Sequence, residues 1–199
     1  QDQKGWMWFG TSQGLSRFDG YQFVNFVHSE DDSLSLSGTL VRVICEDRRG
    51  NLLVGMENGG LNVFDRELEV FYHPYEDHPL FKDREVSVND IQEDADGTLW
   101  LGTNHGILLV DTLGHVTAVS QTDNHVGLSL ELEFVRVLQF DQTGKLWAGT
   151  NTGVFIVDPR DLSVEPFSLP LKEQRDEIWE IFLDPEGAIW IGTYSNGAF

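Results

Sequence analysis

Apolar and polar positions interchange in short runs along the chain. In "REVSVNDIQED" the apolar residues Val86, Val88 and Ile91 are separated by polar ones, which predicts a short, half-buried strand. "TLWLGT" follows, with Leu99 and Leu101 facing one way and Trp100 the other, as in a strand that is apolar on both faces. "ILLVD" and "HVTAV" complete the set. Polar turns rich in Gly, Asp and Asn divide the runs. The four strands occupy repeat positions a, b, c and d. Position a recurs as "LVRVICED", "FVRVLQFD" and "EIWEIFLD", and position c as "GLSRFD", "GLNVFD" and "GVFIVD". No helical period is sustained, so the predicted class is all-β.

The junction of a and b is the most regular part. "DQKGWMWFGT" starts at Asp2, "DRRGNLLVGM" at Asp47, "DADGTLWLGT" at Asp94, "DQTGKLWAGT" at Asp141 and "DPEGAIWIGT" at Asp184. The shared pattern is Asp-x-x-Gly-x-apolar-Trp-x-Gly-Thr. The second copy departs from it, with Leu53 for Trp and Met56 for Thr. Gly10, Gly55, Gly102, Gly149 and Gly192 are spaced by 45, 47, 47 and 43 residues. A four-stranded antiparallel unit with this period is one blade of a β-propeller. The motifs cover residues 2–19, 47–65, 94–111, 141–158 and 184–199. Four to five repeats are thus expected across 1–199, as one piece of a larger, seven-bladed propeller. The first copy lacks its strand a and the last stops after strand b and "YSNGAF". These unmatched ends motivate the expectation of a homodimer.

Asp94-Ala95-Asp96-Gly97 has the look of a calcium loop. Such a loop needs several carboxylates at fixed spacing and a closing Glu. Three of the five copies lack a second acid, and only Asp94-Ala95-Asp96-Gly97 has a second Asp, whereas all have Asp and Gly at the first and fourth places. That pattern predicts a type I turn, and no metal or other cofactor is called for. The repeated Trp8, Trp100, Trp147 and Trp190 are expected in the blade core or as wedges between blades. Cys45, the single cysteine, is expected as a buried structural thiol.

Charge narrows the partners. The chain carries 33 acidic and 13 basic residues, a formal charge of −20. Nucleic acid, polyanionic glycans and anionic membrane surfaces are disfavoured by such a surface. A neutral or cationic ligand is permitted. Hydrophobic residues make up 40% of the chain, enough for a packed core, and no apolar run approaches the roughly 18 residues of a membrane span.

"EDRRGNLLVGMENGGLNVFD", "DADGTLWLGTNHGILLVD" and the lead-in "HSEDDSLSLSGTLVRVICED" resemble two-component regulator propeller repeats. The Gly-His to Trp-Asp framing of WD40 repeats does not appear. The resemblance implies seven-bladed propellers, often in tandem, forming the periplasmic sensor of membrane-bound bacterial receptors. It also implies a histidine kinase, often hybrid, or a GGDEF-type diguanylate cyclase as the output module, with the propeller itself non-catalytic. Some members of the family sense polysaccharide fragments.

Ligand contacts are expected on the face reached by the b-to-c turns and the d-to-a connections, because loops on a rigid scaffold carry function. The b-to-c turns present Ser12 and Gln13, Glu57 and Asn58, Asn104 and His105, Asn151 and Thr152, and Tyr194, Ser195 and Asn196. Their amides and hydroxyls suit sugars and other polar, uncharged groups, although tight turns favour such residues in any case. The d-to-a run "FYHPYEDHPLFKDRE" adds His73 and Tyr75. The five-residue spacing of His73 and His78 is not that of paired metal ligands, and two prolines predict an extended loop with aromatic anchors. The candidate site is therefore Gln13, Asn58, Asn104, His105, Asn151, Tyr194, Asn196, His73 and Tyr75, for a small molecule or an oligosaccharide that is not polyanionic. "VSQTDNHVGLSLE" offers Asp123, Asn124 and His125 in the same way. No Gly-x-Ser-x-Gly elbow, phosphate loop or His-Glu-x-x-His occurs. A ligand-sensing receptor domain leads. A propeller lyase would need a His and an acid converging with a metal, and a protein-binding or dimerisation scaffold would need exposed apolar patches.

Overall fold

The computed structural model describes residues 1–82, 85–119, 134–169 and 176–199. The run Asp123–His125 lies outside them, as do Asp83 and Arg84. Among the described residues all regular elements are β-strands. Strands β1 (Met7–Thr11), β2 (Gly14–Phe18) and β3 (Phe23–Phe26) form a three-stranded sheet. Three four-stranded sheets follow: β4 (Val41–Glu46), β5 (Leu52–Met56), β6 (Leu61–Asp65) and β7 (Val70–Tyr72); β8 (Val88–Glu93), β9 (Leu99–Thr103), β10 (Gly106–Val110) and β11 (Val116–Ala118); and β12 (Val135–Phe140), β13 (Leu146–Thr150), β14 (Val154–Val157) and β15 (Val164–Phe167). β16 (Ile178–Leu183) pairs antiparallel with β17 (Ile189–Thr193). Strand order within each sheet follows the chain, so the sheets are propeller blades and the repeat positions a to d are their successive strands. The chain divides into two compact units, Gln1–Ile91 and Gln92–Phe199.

The repeated Asp explains the a-to-b junction. At Asp94 the backbone carbonyl accepts Gly97 N–H at 3.2 Å, closing the turn, and Gly97 takes a φ of +84° that favours glycine. The carboxylate then has two tasks. Oδ1 accepts backbone N–H groups inside the turn, and Oδ2 accepts the indole N–H of the Trp six residues on, at 2.9 Å in the copies begun by Asp2, Asp94, Asp141 and Asp184. Where Leu53 replaces Trp, the Asn51 amide donates to Asp47 Oδ2 at 2.8 Å instead. The Asp is thus a cap and an indole acceptor, with no metal required to explain it.

The Thr that ends the motif locks the next turn. Thr103 Oγ1 donates to Gly106 O at 2.8 Å and accepts His105 N–H at 3.0 Å. Thr11, Thr150 and Thr193 make the same donation to Gly14, Gly153 and Gly197. The Gly just before Thr11, Thr103 and Thr150 admits a neighbouring strand. A Cβ on Gly10 would meet Val41 at 2.6 Å, one on Gly102 would meet Val135 at 3.0 Å, and one on Gly149 would meet Ile178 at 2.6 Å. In each case the partner opens the first strand of the following sheet, so the glycine is a socket for it.

The apolar positions fill the space between sheets. In the first unit Leu15, Leu52, Val54, Met56, Phe64 and Phe71 are buried together, with Trp8 and Phe26 packed against them. Phe64 meets Trp8 edge-on at 5.2 Å and Phe26 at 5.1 Å. Arg66 donates to Asp2 at 2.6 Å and to Glu46 at 2.9 Å, tying the turns of the first two sheets. In the second unit Trp100 is wedged among Val135, Leu138, Leu146 and Phe155. Trp147 packs similarly against a cluster of Val154, Ile178, Ile181 and Ile191. Trp190, in the last sheet, is 53% exposed. Cys45 corrects the sequence expectation: it is half-buried, on β4, where it lies opposite Leu53 of β5.

Candidate functional site

A cleft of about 330 Å³ opens in the first unit between the β5–β6 turn and the β7–β8 connection. Asn58, Gly59 and Gly60 form one wall, and His73, Tyr75, Glu76 and Phe81 the other, with Ser37 at the base. Three of the residues expected from sequence, Asn58, His73 and Tyr75, meet here.

The β7–β8 connection is not the extended loop that its prolines suggested. It coils through successive turns, with Glu76 N–H on His73 O at 3.3 Å and Phe81 N–H on His78 O at 2.8 Å. Pro74 and Pro79 each fall at the second place of a turn, where the ring presets the required φ. The coil seats Phe81 inward, 8% exposed, and stacks Tyr75 on it at 5.8 Å. A Cβ on Gly60 would come within 3.1 Å of the Phe81 ring, so glycine lets the turn approach the ring this closely.

The polar groups are held by backbone partners. His73 Nε2 donates to Ser35 O at 2.9 Å, which leaves Nδ1 3.8 Å from a Glu76 carboxylate oxygen. Ser37 N–H donates to the buried Asn62, whose amide returns a bond to Ser37 Oγ at 2.6 Å. Asn58 adopts φ +55° and gives its N–H to Ser87 Oγ at 3.0 Å. Ser87 thereby accepts an N–H as the Thr does in other copies, but its own hydroxyl donates to Asn58 Oδ1 at 3.0 Å, and it is Ser37 Oγ that donates to a turn carbonyl, Gly59 O at 2.6 Å. The Ser-Leu-Ser lead-in thus has a structural meaning: Ser35 and Ser37 support the cleft, and Leu36 is buried in the core. His78 Nδ1 accepts Leu80 N–H at 3.2 Å. Among the described residues no three His, Cys, Asp or Glu side chains gather as a metal site.

The other expected residues stay on their own turns. Gln13 is exposed on the β1–β2 turn, its N–H on Thr11 Oγ1 at 3.1 Å. Asn104 is half-buried and His105 exposed on the β9–β10 turn. Asn151 is exposed on the β13–β14 turn and gives its N–H to Phe134 O at 3.3 Å. Tyr194 and Asn196 share the turn after β17. That turn is built on Asp176, which is 6% exposed and accepts Asn196 N–H at 3.1 Å and its side-chain amide at 2.7 Å. Burial opposes ionisation of Asp176, but hydrogen bonds from Asn196, Thr193 and Ser195 prevail and hold its pKa down at about 2.

Sequence reasoning missed Trp179 and Arg136. Trp179 stacks on Tyr194 at 6.2 Å, and the Arg136 guanidinium lies 4.6 Å from the Trp179 ring. The available signal was a large or cationic residue between core positions at the start of strand a.

The model of the family described as "Two component regulator propeller" matches residues 83–105 and 173–195. Among solved structures, the extracellular domain assigned to the hybrid two component system BT3049 from B. thetaiotaomicron aligns with 97% of this chain at 27% identity and a TM-score of 0.78. The extracellular domain assigned to the one component system BT4673 from the same organism aligns with 98% at 21% identity and a TM-score of 0.78. The chain spans about a quarter of each of those domains, 26% in both cases. Virginiamycin B lyase from Staphylococcus aureus aligns with the whole chain and 66% of its own length at 13% identity and a TM-score of 0.66, a likeness of fold alone. Among curated proteins none matches the sequence.

Proposed function

Two stretches of this chain are repeats of the two component regulator propeller family, and on that premise we propose that the chain is part of the ligand-reading propeller of a bacterial membrane-bound signalling receptor. The observation that carries this reading is the 27% identity, over 97% of the chain, to the extracellular domain of a hybrid two component system. The propeller is non-catalytic and periplasmic, and its output module is a histidine kinase of hybrid type or a GGDEF-type diguanylate cyclase.

The ligand is a small polar molecule or a neutral oligosaccharide. The cleft in the first unit is of a size that holds small ligands. It offers Asn58 and His73 for hydrogen bonds and the Tyr75–Phe81 stack for an apolar face. The charge of −20 disfavours a polyanion. Signalling follows from differential affinity: ligand shifts a receptor dimer toward the arrangement it binds more tightly.

The test is a calorimetric titration of the intact protein with short neutral oligosaccharides, alongside an output reporter in cells. The expected result is binding that Asn58→Ala and His73→Ala weaken, together with a response in the reporter. Binding without any change in output would overturn the signalling role.

A further inference from the structure

One imidazole on the wall of the first-unit cleft faces a carboxylate with no hydrogen between them. His73 Nε2 lies 2.9 Å from Ser35 O. A carbonyl oxygen can only accept, so Nε2 carries the proton, and in the neutral ring Nδ1 is an acceptor. The side chain is 13% exposed, and its Nδ1 lies 3.8 Å from a Glu76 carboxylate oxygen. That separation is too long for a hydrogen bond, and both atoms are acceptors. Two acceptors held face to face beside a cavity make a place for a donor.

The neighbouring cations are engaged elsewhere. Lys82, on the same connection, reaches Asp77 at 3.4 Å. Arg42, on β4, is paired with Glu57 of the β5–β6 turn at 2.9 Å. The β3–β4 connection brings Ser35 and Ser37, which carry no charge, and His28, whose Nδ1 donates to Leu36 O at 2.6 Å. Asn58 faces the space from the β5–β6 turn, and Glu85 adds a second carboxylate to its lining. The cleft therefore keeps negative charge, on a chain of −20, and such a cleft gathers cations. Leu61, Phe81 and Val86 line the same space, so an apolar body is accommodated beside the charged end.

We infer that the cleft takes an organic cation whose ammonium group bridges His73 Nδ1 and Glu76. This rests on the reading of the cleft as the ligand site, and it narrows the small polar molecule proposed above to an amine with an apolar body. An ammonium nitrogen at about 2.8 Å from each acceptor satisfies both. Its competitor is the proton. A proton on Nδ1 turns that acceptor into a donor for Glu76 and takes the place of the ammonium, so cation and proton exclude one another at this pair.

The test is a calorimetric titration of the intact protein with benzylamine, phenethylamine and hexylamine, each beside its alcohol analogue. At neutral pH at least one amine is expected to bind, and its alcohol about tenfold more weakly or worse. Glu76→Gln should weaken the amine about tenfold or more. Glu67→Gln, at an exposed acid of the β6–β7 turn, should leave it unchanged. Glu76 is 70% exposed, so an unchanged urea midpoint will show that the variant folds. Affinity should also fall from about pH 7.5 to about 5.5, where an imidazole gains its proton while ordinary carboxylates and alkyl amines keep their charge. An alcohol that binds as well as its amine, binding that survives Glu76→Gln, or an affinity level across that interval overturns this inference. Failure of every amine overturns it too. The cleft reading is judged apart from these results: oligosaccharide binding that Asn58→Ala weakens leaves it standing, and oligosaccharide binding indifferent to Asn58→Ala removes it if the amines have also failed.

Discussion

Asp94 accepts the Trp100 indole N–H through Oδ2 at 2.9 Å, while its Oδ1 takes the backbone N–H groups of Asp96 and Thr98 at 2.9 Å each. One carboxylate therefore joins a turn to a wedge that is 2% exposed. Asp94→Ala would leave a buried indole N–H and two turn amides without their acceptor. The expected loss is about 1–3 kcal/mol, read as a lower urea midpoint. Trp100→Phe removes the donor together with some packing, and the double variant should cost less than the sum of the two single ones, since both remove the same bond. Strict additivity would show that the two side chains are not coupled.

The glycine sockets give a contrast between two copies of one motif. At Gly149 an added methyl would lie 2.6 Å from both Ile178 Cγ2 and Val137 Cγ1. Gly149→Ala is therefore expected to cost about 1–3 kcal/mol through overpacking. At Gly102 the fit is looser, with Val135 Cγ1 at 3.0 Å and Leu138 Cγ at 3.3 Å. Gly102→Ala should lower the urea midpoint less than Gly149→Ala. Equal costs at the two positions would remove the socket as the explanation.

Much of this was legible in the sequence, for a physical reason. The Asp, Gly, Trp and Thr of the repeat interact over three to six residues, so their spacing along the chain carries the geometry. Four strands per period followed from the alternation of apolar runs and turns. The β7–β8 connection was misjudged because Pro74 and Pro79 suit a turn as well as an extended segment, and only the hydrogen bonds of His73 and His78 separate the two. Arg136 with Glu177, 41 residues apart, was not legible. A bulge changes the direction of one side chain without altering the apolar pattern around it. Of the expected site residues, Asn58, His73 and Tyr75 came together because a turn and a connection of adjacent sheets meet at one end of the strands.

Thr103 is fully buried and bonded on both sides of its hydroxyl. Thr103→Val keeps its shape but leaves Gly106 O and His105 N–H without that partner. A destabilisation of about 1–3 kcal/mol is expected, with faster amide exchange at His105. At Met56, the natural departure, the turn that follows is held by Ser87 at Asn58 N–H and by Ser37 at Gly59 O. Ser87→Ala should therefore speed exchange at Asn58 in the same way. Unaltered exchange in both variants would show that the turns are held by other contacts.

Asp176 makes the Tyr194 turn sensitive to acid. Its burial favours the protonated form, yet hydrogen bonds from Asn196, Thr193 and Ser195 hold its pKa at about 2 in the folded chain, against an ordinary 3.8. A depressed carboxylate stabilises the fold fully above its unfolded value, and that contribution is lost as pH falls through the folded one. Stability should thus be level from neutral pH down to about 4 and then decline toward about 2. Other carboxylates share the trend. Asp184 is held below the usual range by the Trp190 indole and the Ala188 amide, and Asp141, despite opposing burial, by Thr143 and Trp147. The difference between the unaltered chain and Asp176→Asn isolates one group: it should be constant above about pH 4 and shrink below it. Trp179 reports the same event locally, because the turn it stacks against loses its anchor, so its emission should change over the same interval. A difference that stays flat down to pH 2 would mean that Asp176 does not carry the turn.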